Sequence, residues 1–465
     1  MPYSYCDASF VTSTQLDRPT LFKSEFGQES LPAFETLGPA LNGSLGDFNL
    51  DSAVMEHRKH AGPKLAAPIT SLFGGATDQN KIHLTCPPGQ VVDIVAEVGD
   101  VGSCSCEHFC ASDWYKHLKV ARPHWTGATT AVPGSTTDCQ CVQATHWCPL
   151  PPKYPSGCDT SCDKVGNPKP ANFCVPNKGP SSGVLGRSTA AALKGTSEAD
   201  FRRVIYLSQL SQTLCIKSYL EELRRGKHTM GALIWQLNDV WQASSWGSLD
   251  YGGRWRSLHH NLESIFAPTV VSVWVDNSTA ALHVYASHHG AAGTSKNQVE
   301  VNVTSIATGA VLSSKLVPGI RASDGSAAIR PLLSLPLDGI HRETEFLTTR
   351  LIADPPTPED VTVVMHPLLP PVEVAWATAA QADVTLHVEH VSNTAAVVSV
   401  VNAAPTPLFY TVLTTTFDGR FDDNLIYMPP HSTRIVRFSF TDADGRPTQQ
   451  QFHESMTVDW LNRAV

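Results

Sequence analysis

Two segments some two hundred residues apart hold residue types that could do chemistry on a sugar. One is Trp235-Gln236-Leu237-Asn238-Asp239-Val240-Trp241, which sets two indoles, an amide and a carboxylate within seven residues, directly after the apolar run 230–234. The other is Ser24-Glu25-Phe26-Gly27, a lone carboxylate that follows Leu21-Phe22 and stands beside a glycine. Flat aromatic faces stack on sugar rings, amides and carboxylates bond hydroxyls, and a carboxylate aimed at an anomeric carbon can attack it. A plainer reading stays open for the same residues. In it Glu25 is a surface carboxylate, the tryptophans belong to the core and Asp239 caps the turn that follows.

Such residues need elements to position them. From Ala199 to Arg225 the apolar residues Phe201, Val204, Ile205, Leu207, Leu210, Leu214, Ile216, Tyr219, Leu220 and Leu223 recur mostly at threes and fours, which predicts an amphipathic helix ended by Gly226. A strand over 230–235 is expected next, with the tryptophan-bearing loop at its end. A helix feeding a buried strand whose C-terminal end is polar is the local grammar of a (β/α)8 barrel, where sites lie at strand C-termini. After Pro268 the pattern changes to period two, as in Val270, Ser272 and Trp274 or Val299, Val301 and Val303. Two β-sandwiches, over 268–368 and 369–465, match that spacing. The expected organisation is barrel segments at 1–80 and 199–267, separated by an insertion and linker at 81–198.

The insertion has its own texture. Ten of the 12 cysteines lie in it: Cys86, Cys104, Cys106, Cys110, Cys139, Cys141, Cys148, Cys158, Cys162 and Cys174. Spacings such as Cys104-x-Cys106 and Cys158-x3-Cys162, with His108 and His146 close by, allow zinc, although structural zinc more usually uses CxxC pairs. An even number of cysteines in a segment without sustained periodicity favours disulfide staples. Cys6 and Cys215 have no evident partner, and His259-His260 and His288-His289 read as surface pairs.

Composition narrows the partners. With 465 residues, a net charge of −9 and no basic run, the chain lacks the positive footprint of a nucleic-acid binder. Apolar stretches fall short of the roughly 20 residues of a membrane helix. The first residues have neither the basic start nor the apolar core of a signal peptide. Three sequons (Asn42-Gly43-Ser44, Asn277-Ser278-Thr279 and Asn302-Val303-Thr304) and the cysteine count nonetheless point to a secretory protein.

Both site-bearing segments resemble the β-mannosidases of glycoside hydrolase family 2. The likeness runs through Leu21 to Gly27, Leu31-Pro32-Ala33-Phe34, Val54 to Arg58, the WQLNDVW segment, Ser245 to Tyr251 and Gly253 to His260. The resemblance implies that Glu25 ends the seventh barrel strand as the nucleophile. It also implies that Trp235, Asn238, Asp239 and Trp241 follow the eighth strand and shape a pocket for a terminal mannose. Trp235 would stack on the sugar or floor the pocket, and Asn238 and Asp239 would bond hydroxyls or orient Glu25. Where the family carries an aromatic followed by glutamine, this chain has Gln28-Glu29.

The resemblance implies a retaining exo-β-mannosidase, lysosomal or secreted, acting on an oligosaccharide or glycoprotein glycan, with no cofactor and no metal. The family's acid/base glutamate lies upstream of the nucleophile, and the 24 residues before Glu25 contain no glutamate. Residues 1–80 and 199–267 together fall well short of the ~250 of a whole barrel. The expectation is therefore an N-terminally truncated form, inactive alone. The alternative is a non-catalytic truncated paralogue that binds carbohydrate or a partner.

Overall fold

The computed structural model describes residues 20–41, 47–48, 50, 52–58, 65–73, 197–226, 229–288, 298–318, 331–352, 363–377, 383–441 and 447–465, with short strands between 82 and 176. Contacts divide the chain into two compact units, one formed by Met1–Phe73 with Ala191–Val465 and the other by Gly74–Ala190. In the second unit the described elements are antiparallel strands: Ile82–Leu84 with Ile94–Ala96, Arg122–His124 with His146–Cys148, and Cys139–Ala144 between Thr130–Ala131 and Ala171–Pro176. The ten cysteine side chains of that segment, and with them the choice between disulfides and zinc, lie outside the described residues, as does Asn42.

The first unit starts with strand β1 (Phe22–Phe26) and is organised around helix α1 (Glu198–Arg225). The helix begins where Ser197 accepts from the Asp200 amide, with Glu198 and Asp200 complementing the positive end of the dipole and Arg224 and Arg225 the negative end. Gly226 follows its last residue. The apolar residues that the period picked out are buried, with Tyr219 partly so. Ser208, Gln209, Ser211, Gln212 and Thr213 are buried too. The helix is therefore covered almost all round, and its polar face is turned inward rather than to water.

Strand β2 (Gly231–Ile234) runs parallel to β1, pairing Phe22 with Gly231 and Phe26 with Ile234. Helix α2 (Ser257–Ile265) packs with α1 behind the pair, where Phe26, Ile216, Leu220, Leu223, Leu258 and Ile265 form one cluster. Phe26 stacks on Tyr219 with ring centroids 4.6 Å apart.

Two antiparallel sandwiches follow. In the first, the sheet of β3 (Thr269–Asp276), β4 (Ala281–His288) and β7 (Leu333–Pro336) faces a sheet ordered β6-β5-β8-β9. Its strands are β5 (Gln298–Ser305), β6 (Val311–Pro318), β8 (Glu345–Ile352) and β9 (Val363–His366). Inward valines at 271, 275, 284, 299, 301 and 303 fill the space between them. In the second sandwich, one sheet is ordered β10-β11-β15-β13 and the other β14-β12-β16. The strands are β10 (Val384–Val391), β11 (Ala395–Asn402), β12 (Leu408–Thr415), β13 (Gly419–Phe421), β14 (Ile426–Met428), β15 (Ser432–Phe440) and β16 (Met456–Asp459). Their core holds Phe438, Phe452, Leu408 and Trp460, all 1% exposed or less.

A fourth cluster ties these parts together. Phe201, Leu207, Leu210 and Leu214 of α1 join Leu31, Met55 and Phe73, and also Phe346 of the first sandwich and Phe409 and Tyr410 of the second. Cys215, for which the sequence offers no partner, is buried in α1 and disulfide-bonded, its partner being outside the described residues. His260 and His288 are likewise not free surface groups. His260 packs its ring 5.0 Å from that of Trp255, and His288 Nδ1 is 2.9 Å from Thr269 Oγ1. Among the described residues no helix is long and apolar enough to cross a membrane, and no group of three or more His, Cys, Asp or Glu could hold a metal.

Candidate active site

The β1–β2 register shifts between Lys23 and Phe26, so two residues, Ser24 and Glu25, stand exposed together while Phe26 packs on α1. On β2, side-chain alternation sends Ala232 and Ile234 toward the helices and Leu233 outward, with Trp235 following on Leu233's side. Glu25 is exposed and Trp235 is 44% exposed. The structure thus brings a carboxylate and an indole to the C-terminal ends of two neighbouring parallel strands. The Trp235 amide donates to the Phe26 carbonyl at 2.8 Å, which locks the two ends together. Gly27 is required there, because a Cβ on it would lie 2.1 Å from the Trp235 carbonyl oxygen. The Trp235–Gln236 peptide bond is cis.

Beyond Trp235 the loop is knitted to itself. Gln236 N donates to Trp246 O at 3.2 Å, Asp239 N to Leu249 O at 3.1 Å and Leu249 N to Leu237 O at 2.8 Å. Asn238 is exposed, and its Nδ2 donates to the Asp239 carbonyl at 3.2 Å. Asp239 sits elsewhere than an exposed ligand-binding group would: it is 5% exposed, and its two carboxylate oxygens take bonds from Ser245 Oγ and Arg256 Nη2. Trp241 is half-buried, with the Arg58 guanidinium 5.2 Å from its ring centroid and the His57 ring edge-on at 5.7 Å. Gln28 and Glu29, which depart from the family pattern, are 6% and 4% exposed and so face the interior.

Arg256 is the hub that the sequence did not single out. It has no exposure, and its Nε donates to Asp250 Oδ1 at 2.6 Å while Nη1 reaches Ser30 O, Ser30 Oγ and Ser245 O, each at 3.2 Å. Asp250 Oδ2 accepts from the Ala33 amide at 2.8 Å. Burial pushes the Asp250 carboxyl up, against the pull of the Arg256 guanidinium. The polar face of α1 completes the frame. Gln212 Oε1 accepts from Ser30 Oγ at 2.8 Å and its Nε2 donates to Gln28 O at 2.8 Å, while Gln209 Nε2 donates to Leu31 O at 3.1 Å. A buried, fully bonded ion pair of this kind adds little net stability, yet removing one partner leaves an uncompensated charge. Its effect here is to fix where the segment after Glu25 and the loop after Trp235 run. Gln209 and Gln212 stand among many other polar residues of α1, so nothing in the sequence marked them as inward-facing.

On the far side of this frame, Arg254 donates to Thr415 O at 2.7 Å and pairs with Asp418 at 3.1 Å. Trp255 lies between His259 and Arg420. Burial, then His259 and Arg420, push His260 down to about 3. A cavity of about 690 Å³ lies between α1 and the second sandwich, lined among others by Arg202, Tyr206, Asp459 and Arg463, but by neither Glu25 nor Trp235. Its arginines are already engaged, Arg202 with Glu35 at 2.7 Å and Arg463 with Asp459 at 3.1 Å.

Known proteins give this geometry its setting. Residues 380–464 match the family model Ig_mannosidase, an Ig-fold domain. The described fold resembles that of the β-D-mannosidase from Dictyoglomus thermophilum, with a TM-score of 0.56 and 14% identity over 99% of this chain and 39% of that one; at that identity the likeness is one of fold. The class is thus a sheet-rich protein carrying a mannosidase-type Ig domain. Among curated proteins, parts of the chain are similar to β-mannosidases. That of Bos taurus is 42% identical over 97 residues (19% of this chain, 11% of the relative), that of Mus musculus 53% over 76 (15% and 9%), and β-mannosidase A of Aspergillus niger 39% over 93 (19% and 10%). The aligned stretch spans about a tenth of the length of these relatives.

Proposed function

We propose that the chain carries the nucleophile half of a retaining exo-β-mannosidase site. The observation that supports this most is the pairing of Glu25 and Trp235 at the ends of parallel β1 and β2, joined through Phe26 O. In this reading β1 and β2 are the last two strands of a (β/α)8 barrel, and the segment 81–198 is a cysteine-rich insertion between them. Trp235 stacks on a terminal β-mannose, Asn238 bonds a hydroxyl and Trp241 walls the pocket through Arg58. Glu25 attacks the anomeric carbon as the leaving-group oxygen departs, and water then releases the sugar from the glycosyl ester. Asp239 is a positioning residue, because its carboxylate is spent on Arg256 and Ser245. A retaining mechanism also takes a second carboxyl group about 5–5.5 Å from the nucleophile, as proton donor; no residue of this chain is assigned that part. Function in a secretory or lysosomal compartment accords with the disulfide at Cys215.

A mannosyl fluoride bearing fluorine at C2 tests the nucleophile directly, because its leaving group needs no proton. Covalent labelling at Glu25, abolished in Glu25→Gln, is the expected result. Labelling elsewhere, or none, overturns the reading. The exposure of Leu233 and Leu237, at 57% and 60%, beside Trp235 favours one alternative, a sugar-binding surface without turnover. Reversible binding of mannosides without labelling would mark that case.

A further inference from the structure

The sequons at Asn277 and Asn302 fall in very different places. Asn277-Ser278-Thr279 forms the tip of the β3–β4 hairpin, where Asp276 pairs with Ala281 and residues 277–280 are all exposed. Asp276 gathers this turn. Its Oδ1 accepts from Ser278 N at 2.9 Å and Ser278 Oγ at 2.6 Å, and its Oδ2 from Thr279 Oγ1 at 2.6 Å. Asn277 Oδ1 accepts from Arg342 Nη1 at 3.2 Å, while its Nδ2 has no partner among the described residues. Asn302 lies mid-strand in β5, flanked by Ser314 on β6 and Thr348 on β8. Asn302 is itself half-buried with its Oδ1 enclosed, and Thr304 of the sequon and the facing Thr348 are closed off, at 2% and 5% exposure.

We propose that Asn277 is an N-glycosylation site and that Asn302 is not. A sequon is used when the chain meets a lipid-pyrophosphate-linked oligosaccharide in the secretory pathway, and the product must then fold with a bulky polar sugar attached. In the transfer, Asn277 Nδ2 forms a bond to the anomeric carbon of the oligosaccharide. The bond from that carbon to the pyrophosphate oxygen breaks, the lipid pyrophosphate leaves with the electron pair, and one amide proton passes to solvent. Only the nitrogen is substituted, so the Arg342 bond to Oδ1 survives and the glycan projects from the hairpin tip. On Asn302, half-buried in mid-strand, the first sugar would crowd the buried Thr348 of β8 and the buried Thr304 of its own strand. The disulfide at Cys215 independently points to passage through an oxidising, secretory compartment, whether or not the chain is a glycosidase.

The test is site-resolved glycopeptide mass spectrometry on the full chain secreted from a eukaryotic host behind a cleavable leader, with enzymatic glycan release in heavy-oxygen water. High occupancy at Asn277 with an unmodified Asn302 peptide is the expected result. An unmodified Asn277, or Asn302 occupied as highly, overturns the proposal. Asn277→Gln and Thr279→Ala should each remove one glycan's step in gel mobility, and Asn302→Gln none. The two wild-type peptides decide between these outcomes even if a variant folds poorly.

Discussion

The second sandwich and the strand pair β1–β2 hold their shapes by opposite means. The sandwich closes two sheets on a dry core, with Leu408, Phe438, Phe452 and Trp460 at 1% exposure or less. The strand pair buries one face on α1 and α2 and leaves the other open. Leu21, Phe22 and Leu233 are 66, 51 and 57% exposed there, as is Met230, at 84%, just before β2. What defines the site's geometry is directional: the bonds of Arg256, Asp239, Asp250, Gln209 and Gln212. Apolar burial tolerates small shifts of packing, whereas a hydrogen-bonded frame specifies positions and fails sharply when one member is lost.

That contrast can be broken at four points, taken from the largest effect. Arg256→Ala leaves two carboxylates buried without their cation and should cost about 3–5 kcal/mol, read by denaturant unfolding, with loss of probe labelling at Glu25. Leu408→Ala opens a void in the sandwich core and should cost roughly 2–5 kcal/mol, while labelling of Glu25 in the folded fraction stays as in the parent. If labelling falls with it, the two regions are not separable. Gly27→Ala forces its Cβ onto the Trp235 carbonyl and should cost about 1–3 kcal/mol. Its effect on labelling should exceed its effect on stability.

The smallest effect lies at the seam. The folded chain keeps His260 neutral down to about 3, while the unfolded chain takes up a proton near pH 6.5. Its contribution is present above 6.5 and is lost as pH falls toward 3, at no more than about 1.4 kcal/mol per unit. Allowing for its partial exposure, about 1 kcal/mol should be lost by pH 5. His260→Gln should flatten that limb of the stability profile; an unchanged limb would place the acid sensitivity elsewhere.

Much of this molecule was legible in its residues. The apolar period marked α1 to within a residue, the period-two runs marked the sandwich strands, and the segments around Glu25 and Trp235 meet at adjacent strand ends. The frame was not legible. Arg256, Asp250 and the glutamines of α1 are polar, and a periodicity reading gives polar positions to solvent. Only tertiary contact shows that water is absent there. Asp239 shows the same limit in reverse: its place in the motif suggested a group facing a ligand, yet both its oxygens are bound inside. His260 reads as a surface residue in the sequence because nothing local indicates that Trp255 and Arg420 close over it.

Helix α1 has a consequence for how the first unit comes apart. At 28 residues it is about 42 Å long. Its side chains enter both the cluster behind the strand pair and the one that reaches Phe346, Phe409 and Tyr410 of the two sandwiches. Melting any of these regions therefore frays a spine that the others share. Calorimetry should show this unit melting in a single endotherm whose calorimetric and van't Hoff enthalpies agree.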